Sequence, residues 1–179
     1  MPLINTTTTG TPSSILSTDG VATLTVQKDG VTQGVFGNQP AFRAYLGTSQ
    51  NISNATWTKV QLNTETFDTN NNFDNSSNYR FTPTVAGYYQ FNAGVYCNYT
   101  SSPGVRIGIS FYKNGSSYFE NALTNPSATL YGSIVLSSLI YLNGTTDYVE
   151  LYGLIYATGP QFYLGTQNTY MDGILIKAT

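Results

Sequence analysis

The chain has 179 residues, a net charge of −2 and only 9% charged residues, against roughly 25% in an average soluble domain. Seven Lys and Arg scattered over that length exclude the dense basic face that nucleic-acid binding requires. The absence of histidine removes the commonest general base and zinc ligand, and a single cysteine cannot form an internal disulfide.

The length suits one domain with an appendage, and composition divides it at residue 38. Residues 1–38 open on "MPLINTTTTGTPSSIL", a polar low-complexity segment with neither the basic nor the apolar region of a secretory signal. "VATLTVQKDGVTQGVFG" follows. Leu24 and Val26 alternate with polar residues, Asp29-Gly30 marks a turn, and Val31 to Phe36 returns. This spacing predicts a hairpin. Two strands alone are marginal in water, so Leu24, Val26, Val31 and Phe36 are expected to need a partner surface. No window holds the run of about 18 apolar residues that a spanning helix needs, and membrane insertion is not expected.

From residue 39 to 179 the pattern is all-β, with no amphipathic helix. Strands are expected at 41–46, 56–62, 78–82, 87–99, 105–112, 117–122, 130–142, 148–156, 161–164 and 170–177. Turn chemistry separates them, at 101–104, Asn114-Gly115, Asn143-Gly144 and 158–160. Many short strands with regular turns argue for a sandwich or barrel. Tyr79, Phe81, Val85, Tyr89, Phe91, Val95 and Cys97 share one parity, while Arg80, Gln90 and Asn92 share the other. That is the form of a half-buried antiparallel strand, with Gly87 expected as a turn within it and Cys97 as a buried inert thiol. The 130–142 strand is apolar on both parities, which predicts cover on both faces, the second by a sister subunit. Tyr79, Phe81, Tyr89, Phe91, Tyr131, Val135 and Tyr141 are therefore assigned to core and subunit packing.

Other residue groups carry weaker signals. Glu65, Asp68 and Asp74 lie in an Asn-rich loop and offer hard oxygen ligands of the kind calcium takes, but their spacing matches no EF-hand loop. The alternative is a solvated loop of side-chain turns, and no cofactor is assigned. Asp147 and Glu150 are the nearest approach to an acid–base pair. They should face opposite ways into solvent, so no enzymatic activity is expected. Loops at 101–104, 121–127 and 158–161 are the expected places for a ligand.

"RFTPTVAGYYQF" resembles the signature of the globular heads of complement component C-one-q, which share the tumour-necrosis-factor jelly roll. Phe81, Val85, Gly87, Tyr89 and Phe91 occupy its positions. "FYKNGSS", "YGSIVLSSLIYLNGTTDYVELY" and "YMDGILI" resemble the hairpin, long-strand and closing-strand motifs, with Met171 where an aromatic is usual. The resemblance covers about residues 40–177 and implies a ten-stranded antiparallel jelly-roll sandwich behind a short β arm, and a homotrimer. No collagen-like stalk precedes the head. "GNQPAFRAYLGTSQNISNATWTKVQLNTETFDT" is similar to short heads of bacteriophage structural proteins. It implies a virion protein, a capsid decoration or fibre head, attached to other virion proteins through the arm and able to touch host glycans. A secreted bacterial module that binds carbohydrate or protein is the alternative.

Overall fold

A computed structural model describes residues 24–28, 31–36, 39–125 and 131–179. The chain divides into two compact units, Met1–Gln39 and Pro40–Thr179. In the first, β1 (Leu24–Lys28) and β2 (Val31–Phe36) pair antiparallel, with Leu24 opposite Phe36 and Lys28 opposite Val31. The register shifts between Val26 and Gln27. The expected turn at Asp29-Gly30 lies outside the described residues.

The second unit is an all-β sandwich, with no helix among the described residues. Its strands are β3 (Ala41–Tyr45), β4 (Gln50–Asn51), β5 (Thr58–Lys59), β6 (Thr64–Asp68), β7 (Phe73–Asp74), β8 (Arg80–Phe81), β9 (Gly87–Asn98), β10 (Ser101–Lys113), β11 (Ser116–Asn125), β12 (Tyr131–Leu142), β13 (Val149–Thr158), β14 (Gln161–Phe162) and β15 (Tyr170–Ala178). One sheet runs β11-β10-β13-β8-β7, with β5 also on β13. The other runs β4-β14-β9-β15-β3-β6, with β12 on the far side of β9. Every pairing is antiparallel. Consecutive strands β8 and β9 belong to different sheets, which is the crossing that makes a jelly roll rather than a meander.

The long strands follow the period-2 pattern because one face meets the other sheet. On β9, Tyr89, Phe91, Ala93, Val95 and Cys97 are buried; on β10, Val105, Ile107, Ile109 and Phe111 are. Phe91 lies at the centre, 5.8 Å from the Phe81 ring and 5.9 Å from that of Phe111, both in the opposite sheet. Phe42 stacks on Phe81 at 4.5 Å and on Phe73 at 5.0 Å. The buried Tyr89 hydroxyl donates to the Val85 carbonyl at 2.8 Å, so burying the ring strands no polar atom. A Cβ on Gly173 would lie 2.7 Å from Phe42 and 2.8 Å from Phe91. The glycine of the closing motif thus makes room for two core rings, and Met171 beside it is fully buried.

Several expectations need correction. The 56–62 segment forms only the two residues of β5, and 78–82 only those of β8. The strands β4, β6 and β7 arise in segments read as loop. Gly87 makes no turn: it begins β9, and a Cβ there would collide with the Lys177 carbonyl and the Leu175 side chain. The glycine serves a close approach of β15. Tyr79 is not on an inward strand face. It is half-buried and takes a φ of 51°, a left-handed residue that ends the loop before β8.

Candidate functional site: the open face of the β9 sheet

The sheet built on β9 has one face in the core and one open. Inward residues of β12 are Ile134, Leu136, Ile140 and Leu142. Its outward residues Val135, Leu139 and Tyr141 are exposed, Val135 by 63% and Leu139 by 50%. Tyr88 on β9 and Ile174 and Ile176 on β15 continue the same apolar face. The adjoining edge strand β11 exposes Tyr118, Phe119 and Leu123. Among the described residues it pairs only with β10, and its segment SSYFENALTN holds neither Lys nor Pro, the residues that usually protect an edge. Asn121 on β11 donates to the Val135 carbonyl at 3.3 Å, so this edge and the β12 edge meet. Contiguous exposed apolar side chains of this kind mark an interaction surface.

A polar rung crosses this face. Ser137, Asn92, Asp172 and Arg43 stand directly opposite one another on β12, β9, β15 and β3. Arg43 Nη1 donates to Asp172 Oδ2 at 2.6 Å, and Asn92 Nδ2 donates to Asp172 Oδ1 at 2.9 Å. Ser137 Oγ donates to Asn92 Oδ1 at 2.8 Å, and Gln90 Nε2 donates to Ser137 Oγ at 2.9 Å. Arg43 Nη2 reaches the Thr166 carbonyl at 2.9 Å, while its guanidinium lies 4.3 Å from the Tyr170 ring centre. Gly94 gives Tyr170 room to lie flat, since a Cβ there would be 2.8 Å from the ring. Sequence reasoning placed Gln90 and Asn92 on the parity opposite the buried residues and missed Arg43, Asp172 and Ser137. The available signal was parity: Asp172 shares a face with Ile174 and Ile176.

Of the residues assigned to packing, Phe81, Tyr89 and Phe91 are fully buried, whereas Val135 and Tyr141 are exposed on this face. Tyr131 begins β12, and its side chain lies outside the described residues, as do those of Leu24, Val26, Val31 and Phe36. The thiol of Cys97 is buried, which pushes its pKa up to about 12 and leaves it unreactive.

The loop carboxylates are committed locally. Asp68 accepts from the Asn70 and Phe73 amides at 3.1 and 2.7 Å. Asp74 accepts from the amides of Ser76, Ser77 and Asn78 and from the Asn78 side chain, and these bonds hold its pKa far below the carboxylate range. Glu65 shares a polar surface cleft with Asp74, Arg80, Thr82 and Thr84. Burial, then the Asp68 charge, raises its pKa. Among the described residues no group of three metal-ligating side chains converges.

Asp147 and Glu150 are not solvated. Glu150 is 3% exposed and bonds Lys59 at 2.5 Å; Asp147 is 9% exposed and pairs with Lys113 at 3.0 Å. Glu150 on β13 and Asp147 in the turn before it each meet a lysine of a neighbouring strand, which offsets desolvation. The Asn114 side chain, aided by Lys113 and the Asn143 amide, lowers the Asp147 pKa against the opposing effect of burial. A depressed carboxylate stabilises the fold above its usual pKa of 3.8 and loses that contribution as pH falls through the folded value. Asp147→Asn is therefore expected to lower Tm at pH 7, with the gap to wild type closing below about pH 4 in calorimetric scans. A gap of constant size at all pH values would refute this assignment.

The expected ligand loops also change character. Residues 101–104 belong to β10 and Asn121 to Asn125 belong to β11. Gly159, at a φ of 62°, makes 158–161 a tight turn between β13 and β14. Rings cover the opposite face of the sandwich instead. Tyr112 stacks on Tyr152 at 3.8 Å, Trp57 packs on Gly108, and Arg80 and Arg106 lie over Tyr148 and Tyr156.

The architecture is that of the tumour-necrosis-factor jelly roll. The tumour necrosis factor Eiger of S. frugiperda is similar over 79% of this chain and 95% of its own, with a TM-score of 0.62 and 9% identity. Murine APRIL, crystallised at pH 5.0, matches 77% of this chain and 99% of its own, with a TM-score of 0.57 and 12% identity. At such identities the likeness is one of fold. No protein-family profile matches the chain, and no curated protein does.

Proposed function

We propose that the chain is a non-enzymatic structural protein of a bacteriophage virion, a capsid decoration or fibre head that assembles as a homotrimer. The open apolar face of the β9 sheet carries this reading. It adjoins the β11 edge, which exposes Tyr118, Phe119 and Leu123, and the two surfaces differ. A contact between different patches of identical chains is heterologous, and it closes into a ring when the rotation between copies allows. Three jelly rolls around one axis satisfy both surfaces and leave the β10 sheet outward. Its tyrosines and Trp57 supply rigid, amphipathic contact area suited to a host glycan. The hairpin β1–β2 attaches the trimer to other virion proteins. The phage assignment draws on the similarity of residues 37–69 to phage heads.

The test combines assembly with attachment. The purified chain is expected to behave as a trimer at micromolar concentration in light scattering. Removal of residues 1–38 is expected to leave a folded trimer that no longer binds particles. A monomeric full-length chain would defeat the assembly, and retained particle binding would defeat the tether.

A further inference from the structure

We infer that the Ser137–Asn92–Asp172–Arg43 rung is the register-setting element of a contact with a second copy of this chain. The inference rests on the homotrimeric reading above. On one side of the rung stand Val135, Gly94, Tyr170 and Tyr45; on the other stand Leu139, Gln90, Ile174 and Ala41. A face rich in exposed apolar side chains thus carries one hydrogen-bonded polar layer between two mostly apolar ones, with Gln90 bonding into it from the second.

The bonding within the layer tells against a role facing water. Exposed polar groups ordinarily use solvent as their partner. Here both Asp172 oxygens are taken by protein donors, Arg43 has a carboxylate, a carbonyl and a ring face, and the Asn92 oxygen is filled by Ser137. A layer satisfied from within can be covered by a neighbour without stranding a buried polar group. The charge balances as well, one guanidinium against one carboxylate, so covering the rung buries no net charge. Beneath a second copy, a translation of one rung would bring apolar side chains against this pair, and a buried polar layer penalises that misalignment as a buried Asn does in a coiled coil.

The experiment uses the full chain. Wild type is first sized by light scattering, and its dissociation on dilution is followed by sedimentation. Asp172→Asn removes the charge that balances Arg43. In an uncovered rung the loss is that of an exposed ion pair, a few-fold at most in any equilibrium. In a covered rung it leaves an unpaired guanidinium at the interface, and the trimer dissociation constant is expected to rise by about a hundredfold or more. A second variant, Arg43→Leu with Asp172→Leu, replaces the charges by apolar groups. It is expected to keep associating but to populate more than one size of oligomer. A monomeric wild type overturns the trimer and this inference together. A trimeric wild type whose Asp172→Asn form dissociates within threefold of it overturns this inference alone. So does a double-leucine variant that remains a single trimeric species.

Discussion

Leu139→Asp is expected to yield a folded monomer. Leu139 is half exposed in the single chain, and its neighbours across the sheet are Gln90 and the backbone of β9. An aspartate there meets water, so the melting temperature of the isolated head should change little, as for other exposed substitutions of about 0.5 kcal/mol or less. In the proposed trimer the same position is covered, and a carboxylate without a partner costs several kcal/mol in each copy. The three contacts of a closed ring fail together, so light scattering should read one chain where wild type reads three. Tyr156→Asp, on the face of the other sheet, is the control, and it should leave the trimer intact. A Leu139→Asp chain that still sediments as a trimer would show that β12 does not face a neighbour.

Phe91→Ala carries the second large effect, on stability. Its ring has no exposure and contacts Phe42, Tyr89, Phe81 and Phe111. Because Phe81 and Phe111 belong to the opposite sheet, removing the ring empties the space that joins the two layers. Gly173 leans on the same ring and cannot fill the gap. The expected loss is about 3–5 kcal/mol in denaturant unfolding, or a fall in Tm of roughly 10 °C for a domain of this length. Phe91→Leu keeps most of the volume and should lose less than half as much. A loss below about 1 kcal/mol for the alanine variant would mean that the two sheets are joined elsewhere.

Much of the head was legible from residue order. The strict alternation from Tyr89 to Cys97 and from Val105 to Phe111 follows from one dry and one wet face, and the structure buries those residues. Asn114-Gly115 and Asn143-Gly144 mark turns because both pairs supply the left-handed backbone the turns need, seen at Asn114, Gly115 and Gly144. Short strands were not legible. β5 and β8 hold two residues each, too few for any period, and exist because β13 offers them free backbone groups. Gly87 was expected to make a turn, yet like Gly173 it is a strand glycine that admits a close neighbour. Which neighbour each one admits depends on segments about 80 to 130 residues away along the chain.

The same division holds for the candidate site. Residue order alone determined an all-β chain, its dry face, its buried thiol and the apolar excess on both parities of residues 130–142. Those properties depend on near neighbours and on the two-residue period of a strand. Only the tertiary structure decided that Asp147 and Glu150 are buried against lysines, that the 101–104 loop is a strand, and that Ser137, Asn92, Asp172 and Arg43 form one rung. Four strands from distant parts of the sequence must pair in register before those side chains become neighbours. Register between distant strands is a property of the whole packed sheet, which no local stretch of residues contains.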